Sequence, residues 1–148
     1  MFLTLWLKFN YYKFKMYTLF TDGGSRGNPG NSACAYFIFN NDVLEDFGGI
    51  FLGTGTNNNA EYLGLINGLK LAIKLKITNL EVKMDSELAI KQILGIYKVS
   101  TDSIRELHHE VKMLEKNFKS ITFKHVPRAE NKFADKLANI IMDTEENK

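Results

Sequence analysis

Residues 16–53 read MYTLFTDGGSRGNPGNSACAYFIFNNDVLEDFGGIFLG, and this stretch decides the fold. It contains three runs rich in aromatic and aliphatic residues: MYTLFT, ACAYFIF and VLEDFGGIFLG. The segments between them, GNPGN and NND, have the Gly, Pro, Asn and Asp content that is typical of turns. We therefore predict three strands joined as an antiparallel meander.

The rest of the chain alternates between helical and strand patterns. Apolar residues recur at helical spacing in residues 60–76, 86–94 and 104–118. The runs LEVKM (80–84) and SITFKHV (120–126) predict two further strands. With a last helix after residue 131, the order βββαβααβα predicts an α/β domain: a mixed sheet with helices on its faces.

Polar residues predict where two of the helices begin. Ser103 and Glu106 have the spacing of a capping box for the third helix. Asn131 is expected to cap the last helix and to support Asp135. The inward face of that helix is expected to consist of Phe133, Leu137, Ala138 and Ile141.

Composition bounds the class of protein. A chain of 148 residues is most simply one domain. No run reaches the ~18 apolar residues of a membrane span, so no membrane partner is expected. The single cysteine, Cys34, excludes an internal disulfide and fits a buried strand in a reducing compartment, which favours a cytoplasmic protein.

The first 15 residues, MFLTLWLKFNYYKFK, contain three lysines and no acid. Without them the chain has 16 Lys and Arg residues and 17 Asp and Glu residues, so it is not strongly basic. The domain must therefore hold any nucleic acid through local patches, polar contacts and metal. We interpret residues 1–15 as an extension caused by a start codon placed upstream of the true Met16. An organelle-import segment, or an extra strand or helix, is the alternative. The domain is predicted over 16–143, with a polar tail over 144–148.

Four carboxylates are the main clue to function. Asp22 lies in TDGGSRGNPG, Glu61 in TNNNAE, Asp85 in MDSE and Asp135 in HVPRAENKFAD. Each could separately be a turn residue, a helix acid, a cap or half of a surface ion pair. Carboxylates without matching cations, brought together by a fold, form a site for hard divalent metals.

These four motifs, in this order on this element pattern, resemble type 1 ribonuclease H over about residues 16–142. The resemblance implies a ribonuclease H-like fold, with a five-stranded mixed sheet of three antiparallel and then two parallel strands and helices on both faces. It implies an endoribonuclease that cuts the RNA strand of RNA–DNA hybrids with two Mg²⁺ ions, for which Mn²⁺ can substitute, leaving 5′-phosphate and 3′-hydroxyl ends.

The resemblance also implies roles for the four acids. Asp22 would bridge the two ions, and Asp135 would join it on the ion that activates water. Glu61 and Asp85 would hold the ion that faces the leaving 3′ oxygen. Because like charges repel, we expect at least one carboxyl to have a raised pKa without metal.

Substrate contacts follow from the same resemblance. Recognition of the RNA strand requires contacts to its 2′-hydroxyl groups. The family pattern maps this role onto Gly23, Asn28, Asn57 and Asn58, and it maps a DNA-phosphate contact onto Thr56. Asn28, Thr56, Asn57 and Asn58 could instead be ordinary turn and cap residues.

The segment before Asp135 resembles the variant in which an arginine takes the place of a loop histidine. We favour Arg128 as the auxiliary catalytic residue, with His125 as the alternative. The short connection GIYKVSTDS (95–103) replaces the extra helix and basic protrusion of many relatives. Lys91, Lys98 and Lys112 are candidate compensating cations.

Two other function classes compete with the enzyme. One is a non-catalytic hybrid-binding module or an accessory domain of a larger enzyme, which missing acids would have indicated. The other is a two-metal exonuclease or recombinase of the same general fold, against which the TNNNAE and AENKFAD motifs argue. A monomer is the expected state.

Overall fold

The computed structural model describes residues 2–5 and 16–148, so Met1 and residues 6–15, most of the predicted extension, lie outside the described residues. Residues 2–5 form one exposed helical turn. The predicted element order βββαβααβα is confirmed, with these bounds: β1 Tyr17–Arg26, β2 Gly30–Asn40, β3 Val43–Gly55, α1 Asn57–Lys74, β4 Asn79–Met84, α2 Glu87–Ile93, α3 Asp102–Glu115, β5 Ser120–His125, a 3-10 turn Arg128–Glu130 and α4 Lys132–Glu146.

The five strands form one sheet in the order β3-β2-β1-β4-β5. β2 pairs antiparallel with both β1 and β3, and β4 pairs parallel with both β1 and β5. The predicted mixed sheet is therefore confirmed. The central strand is β1. β4 runs parallel beside it, with Thr21 and Met84 as register partners.

Helices cover both faces of the sheet, as predicted. α1, α2 and α3 bury the larger core on one face, where Leu65 and Leu69 of α1 are fully buried. α4 packs on the other face against β1 and β2, burying Ala134 and Ala138 beside Ala35. Among the described residues, no helix has the length and apolar character needed to cross a bilayer.

Two predictions about where helices begin need correction. α3 begins at Asp102 with Thr101 in the cap position and no side-chain cap, so the predicted capping box of Ser103 and Glu106 is wrong. Ser103 lies inside the helix, whose first turn holds the Asp102–Arg105 ion pair instead. α1 begins at Asn57, three residues before the predicted start, because Thr56 caps it.

α4 departs from its predicted inward face and from its predicted cap. Phe133 is 64% exposed, although its ring lies beside Phe37 and Phe39, and Ala134 takes the buried position. Asn131 precedes α4 without capping it through its side chain. The helix continues to Glu146, so most of the segment 144–148, predicted as a tail, is helical.

One close backbone contact between α1 and β1 places the functional residues. A Cβ atom on Gly23 of β1 would lie 2.2 Å from the Ala60 carbonyl of α1, and a Cβ on Gly64 would lie 2.9 Å from the Asp22 carbonyl oxygen. Only glycine permits this approach, because any side chain would fill the space that the other backbone occupies. The contact brings the second turn of α1 directly over Asp22 and Gly23 of β1.

We expect Gly23→Ala to lower the free energy of unfolding by ~2–4 kcal/mol, because the added methyl group would push α1 away from β1. Gly24→Ala is the matched control, since its Cβ would have ordinary contacts at 3.7 Å and 3.8 Å. Urea unfolding should show a change of at most ~1 kcal/mol for the control. Equal stability of the two variants would contradict the close contact.

Candidate active site

Three of the predicted carboxylates converge where the pairing of the central strand β1 with β4 ends. Asp22 lies on β1, Asp85 directly follows β4, and Glu61 lies on α1. One carboxylate oxygen from each residue lies within 4.8 Å of the others. The parallel pairing of β1 with β4 brings Asp22 beside Asp85, and the close α1–β1 contact supplies Glu61.

Asp135 comes to the same place from the opposite face of the sheet. It lies in the first turn of α4, and all four carboxylates line one cleft of about 370 Å³. Asn131 fixes this end of α4 in two ways. Its buried side-chain amide donates to the Thr21 carbonyl at 2.9 Å, and its backbone carbonyl accepts from the Asp135 N–H. Asn131 therefore supports Asp135, but through β1 instead of through a side-chain cap.

Burial and mutual repulsion control the protonation of this cluster. Burial raises the pKa of Asp22 to about 7, and the charge of Asp85 adds to the effect. Burial raises the pKa of Glu61 well above its usual value, with the nearby charge of Asp22 as the next cause. The hydrogen bond between the two side chains raises the pKa of Glu61 and lowers that of Asp22, and hydrogen bonding to the Gly23 backbone lowers both pKa values. Asp22 and Glu61 thus both have the raised carboxyl pKa that we expected for at least one of the four acids.

The donor set fits a divalent cation. The cleft lining contains four carboxylates and one cation, Arg128. The Glu61 Oε2 atom is buried and has no hydrogen-bond partner within the described chain. An orphaned buried oxygen beside two further carboxylates is a poor arrangement without a cation and a good one for Mg²⁺ or Mn²⁺, which prefer oxygen ligands.

Two of the asparagines predicted to contact substrate are linked to each other at the rim. Asn28 Oδ1 accepts from the Asn57 N–H at 2.9 Å, and Asn57 Oδ1 accepts from the Ser25 N–H at 2.8 Å. Both side-chain oxygens are thus used within the protein. The two NH₂ groups, which have no acceptor in the described part of the chain, are available as donors.

The other residues predicted to contact substrate are Thr56, Asn58 and Gly23. The Thr56 hydroxyl caps α1, accepting from the Asn59 N–H at 3.2 Å and donating to Asn59 Oδ1 at 3.1 Å. Asn58 Oδ1 is buried without a partner among the described residues. Gly23 lies under α1, and both Gly23 and Gly24 line the cleft. Substrate contacts by these residues remain predictions.

Arg128 and His125 occupy different places. Arg128 Nη2 lies 2.9 Å from Asp135 Oδ1, and its side chain is 73% exposed at the mouth of the cleft. This contact raises the pKa of Arg128 above its usual value. His125 is the last residue of β5, is exposed, and is not among the residues that line the cleft.

Sequence reasoning missed Asn139, which lines the cleft four residues after Asp135 on the same face of α4. Its Nδ2 atom donates to the Asp135 carbonyl at 2.9 Å and approaches Asp135 Oδ1 at 3.3 Å. The i, i+4 spacing could have indicated it. Met142, which also lines the cleft, carries no polar signal.

Comparison with known proteins gives the family. The family model described as "Reverse transcriptase-like" matches residues 20–141. The chain belongs to this family, and its domain is a ribonuclease H-like domain. The N-terminal ribonuclease H domain of Rv2228c from Mycobacterium tuberculosis has a solved structure with a TM-score of 0.87 and 37% identity, covering 90% of this chain and 97% of that one.

Two further relatives agree. Ribonuclease HI of Halobacterium salinarum is 38% identical over 125 residues, which is 82% of this chain and 62% of that protein. LC11-RNase H1, solved in complex with an RNA/DNA hybrid, has a TM-score of 0.81 and 33% identity, covering 87% of this chain and 98% of that one. The bifunctional protein Rv2228c is 42% identical over 125 residues, and the match spans 34% of its length. The chain thus spans between a third and two thirds of the curated relatives named here.

The raised carboxyl pKa values predict how stability without metal depends on pH. The folded protein keeps protons that the unfolded chain releases between about pH 4 and pH 7, so its stability falls as pH rises through that range. In EDTA, Asp22→Asn should remove part of this loss and raise the free energy of unfolding at pH 8 by ~1–3 kcal/mol.

Thermal unfolding from pH 5 to pH 8 measures this effect, with Asp42→Asn, at an exposed turn, as the control. Added Mg²⁺ should stabilise the parent protein at pH 8 more than the Asp22→Asn variant, because binding to the folded state alone adds stability. A parent protein and an Asp22→Asn variant with the same pH profile would contradict the raised pKa.

Proposed function

We propose that this domain is an endoribonuclease that hydrolyses the RNA strand of RNA–DNA hybrids with two divalent metal ions, Mg²⁺ or Mn²⁺, leaving 5′-phosphate and 3′-hydroxyl ends. The observation that carries the proposal is the convergence of four carboxylates in one open cleft. Family membership and the hybrid complex of LC11-RNase H1 support it.

The carboxylates supply the ligands in this proposal. Asp22, at the centre of the cluster, would bridge the two ions; Asp135 would share one of them, and Glu61 and Asp85 the other. Two bound ions would activate water and stabilise charge on the leaving 3′ oxygen. Asp22 and Glu61 must lose their protons to act as ligands, so activity should rise as pH increases towards and above 7.

The rim of the cleft supports selection of the RNA strand. Asn28 and Asn57 present NH₂ donors with their oxygens already bound inside the protein. A 2′-hydroxyl accepts such hydrogen bonds and is absent from DNA. Gly23, Asn58 and Thr56 complete the proposed contact surface around the N-terminus of α1, with Thr56 assigned to a DNA phosphate.

Binding of the hybrid must use few cations. Lys91 is paired with Glu87 and lies over the Tyr97 ring, Lys112 is paired with Glu115, and Lys98 is exposed. We assign hybrid binding mainly to the metal ions and the polar rim of the cleft. One chain carries all four carboxylates, which supports a monomer, and the buried Cys34 thiol fits a cytoplasmic protein.

Incubation of a labelled RNA–DNA hybrid with Mg²⁺ or Mn²⁺ tests the activity. The parent protein should cut the RNA strand only, and Asp22→Asn should reduce the rate at least ~10³-fold, because it replaces the bridging carboxylate. Asp42→Asn, on the exposed turn, should cut like the parent. A parent that binds hybrid without cutting it would indicate a non-catalytic module, and cleavage of single-stranded RNA alone would reject the substrate.

Substitution of Arg128 tests the auxiliary role. Arg128→Ala should lower kcat about 10-fold while leaving KM for the hybrid within about twofold, because it removes one charge-assisted hydrogen bond beside the reacting phosphate. His125→Ala should leave both constants near those of the parent. The reverse result, with the larger loss in His125→Ala, would transfer the auxiliary role to the histidine.

A further inference from the structure

Asp135, the last of the four carboxylates, has unequal contacts at its two oxygens. Asp135 Oδ1 is approached by Arg128 Nη2 at 2.9 Å and by Asn139 Nδ2 at 3.3 Å. Its Oδ2 atom accepts no hydrogen bond from the residues that the structure describes. One oxygen of Asp135 is therefore held by the protein, and the other is left for an ion.

The two groups that hold Oδ1 differ in how firmly they are fixed. Arg128 lies in the exposed 3-10 turn and has Asp135 as its one side-chain partner within the described residues. A substrate phosphate would compete for this guanidinium, since arginine binds phosphate as well as carboxylate. Asn139 lies on a rigid helix and also donates to the Asp135 carbonyl at 2.9 Å, so it stays in place when Arg128 leaves.

Arg26 sets the orientation of the Asn139 amide. Arg26 Nη2 donates to Asn139 Oδ1 at 2.9 Å, and arginine has no acceptor to offer. The amide must therefore direct its oxygen towards Arg26 and its NH₂ group towards Asp135. Asp143, 2.8 Å from Arg26 Nη2, and Glu146, 3.7 Å from Nη1, anchor the guanidinium on α4.

We propose that Asn139 is a positioning residue for Asp135, oriented by Arg26, and that it holds Oδ1 so that Asp135 binds its metal ion through Oδ2. This inference rests on the proposed metal-dependent function. Arg26 lies at the end of β1, whose Asp22 binds the same ion in the proposal, so the contact Arg26–Asn139–Asp135 also links the β1 and α4 sides of the site.

Two measurements test the proposal. They are the dissociation constant for Mn²⁺ binding to the free protein, measured by calorimetry, and the Mn²⁺ concentration for half-maximal hybrid cleavage. Asn139→Ala should raise both values about 10-fold or more, as the loss of a group that orients a metal ligand generally does. It should lower kcat at a fixed, subsaturating Mn²⁺ concentration while leaving KM for the hybrid within about twofold. Asn139→Asp should have the larger effect, because it places a carboxylate against Asp135.

Arg26 must act through Asn139 if the proposal is right. Arg26→Ala should weaken Mn²⁺ binding, and the double variant Arg26→Ala/Asn139→Ala should be no weaker than Asn139→Ala alone. Lys136→Ala, on the exposed side of α4, is the control and should bind Mn²⁺ like the parent. Thermal unfolding of each variant confirms that it is folded.

The outcomes separate this inference from the proposed function. Unchanged Mn²⁺ binding by folded Asn139→Ala, or additive losses in the double variant, would overturn the positioning role even if the parent cuts hybrid. An equal loss in Lys136→Ala would also overturn it, since a general effect of substitutions in α4 would then explain the loss. A parent that fails to cut hybrid but loses Mn²⁺ affinity on Asn139→Ala would support the positioning role and refute the nuclease.

Discussion

The direct backbone contact of α1 with β1 is the constraint on which the site depends. Gly23 and Gly64 remove the side chains that would separate the two elements, and Glu61 then falls beside Asp22. The same contact removes water from both carboxyls, which raises the pKa of each. Close packing here therefore stabilises the fold. It also desolvates two like charges, which a bound cation would stabilise.

Three asparagine side chains around the cleft follow a common pattern. The oxygens of Asn28, Asn57 and Asn139 each accept a hydrogen bond from the protein, from the Asn57 N–H, the Ser25 N–H and Arg26 respectively. Their NH₂ groups are thereby directed outward or towards Asp135. A domain with few free cations can in this way present fixed donors to an acidic or hydroxyl-rich ligand.

Most of the fold could be predicted from the sequence, because strand and helix periodicity, Gly and Asn turns and element order are local signals. The failures have separate causes. The Ser103 capping box failed because an ion pair of Asp102 with Arg105 occupies the first turn. Phe133 has the helical spacing of the other apolar residues of α4. Its ring lies beside Phe37 and Phe39 of β2 but is only partly covered.

The sequence by itself determined the class of fold, the four acids and the residue types around them, since motif order and periodicity carry that information. Only the tertiary structure decided that three carboxylates share one cluster while Asp135 is held separately by Arg128 and Asn139. It also decided that Arg128, unlike His125, reaches the cleft. The physical reason is that side-chain direction and hydrogen-bond partners depend on contacts between elements far apart in the chain. Arg26 and Asn139 are an example, since 113 positions separate them.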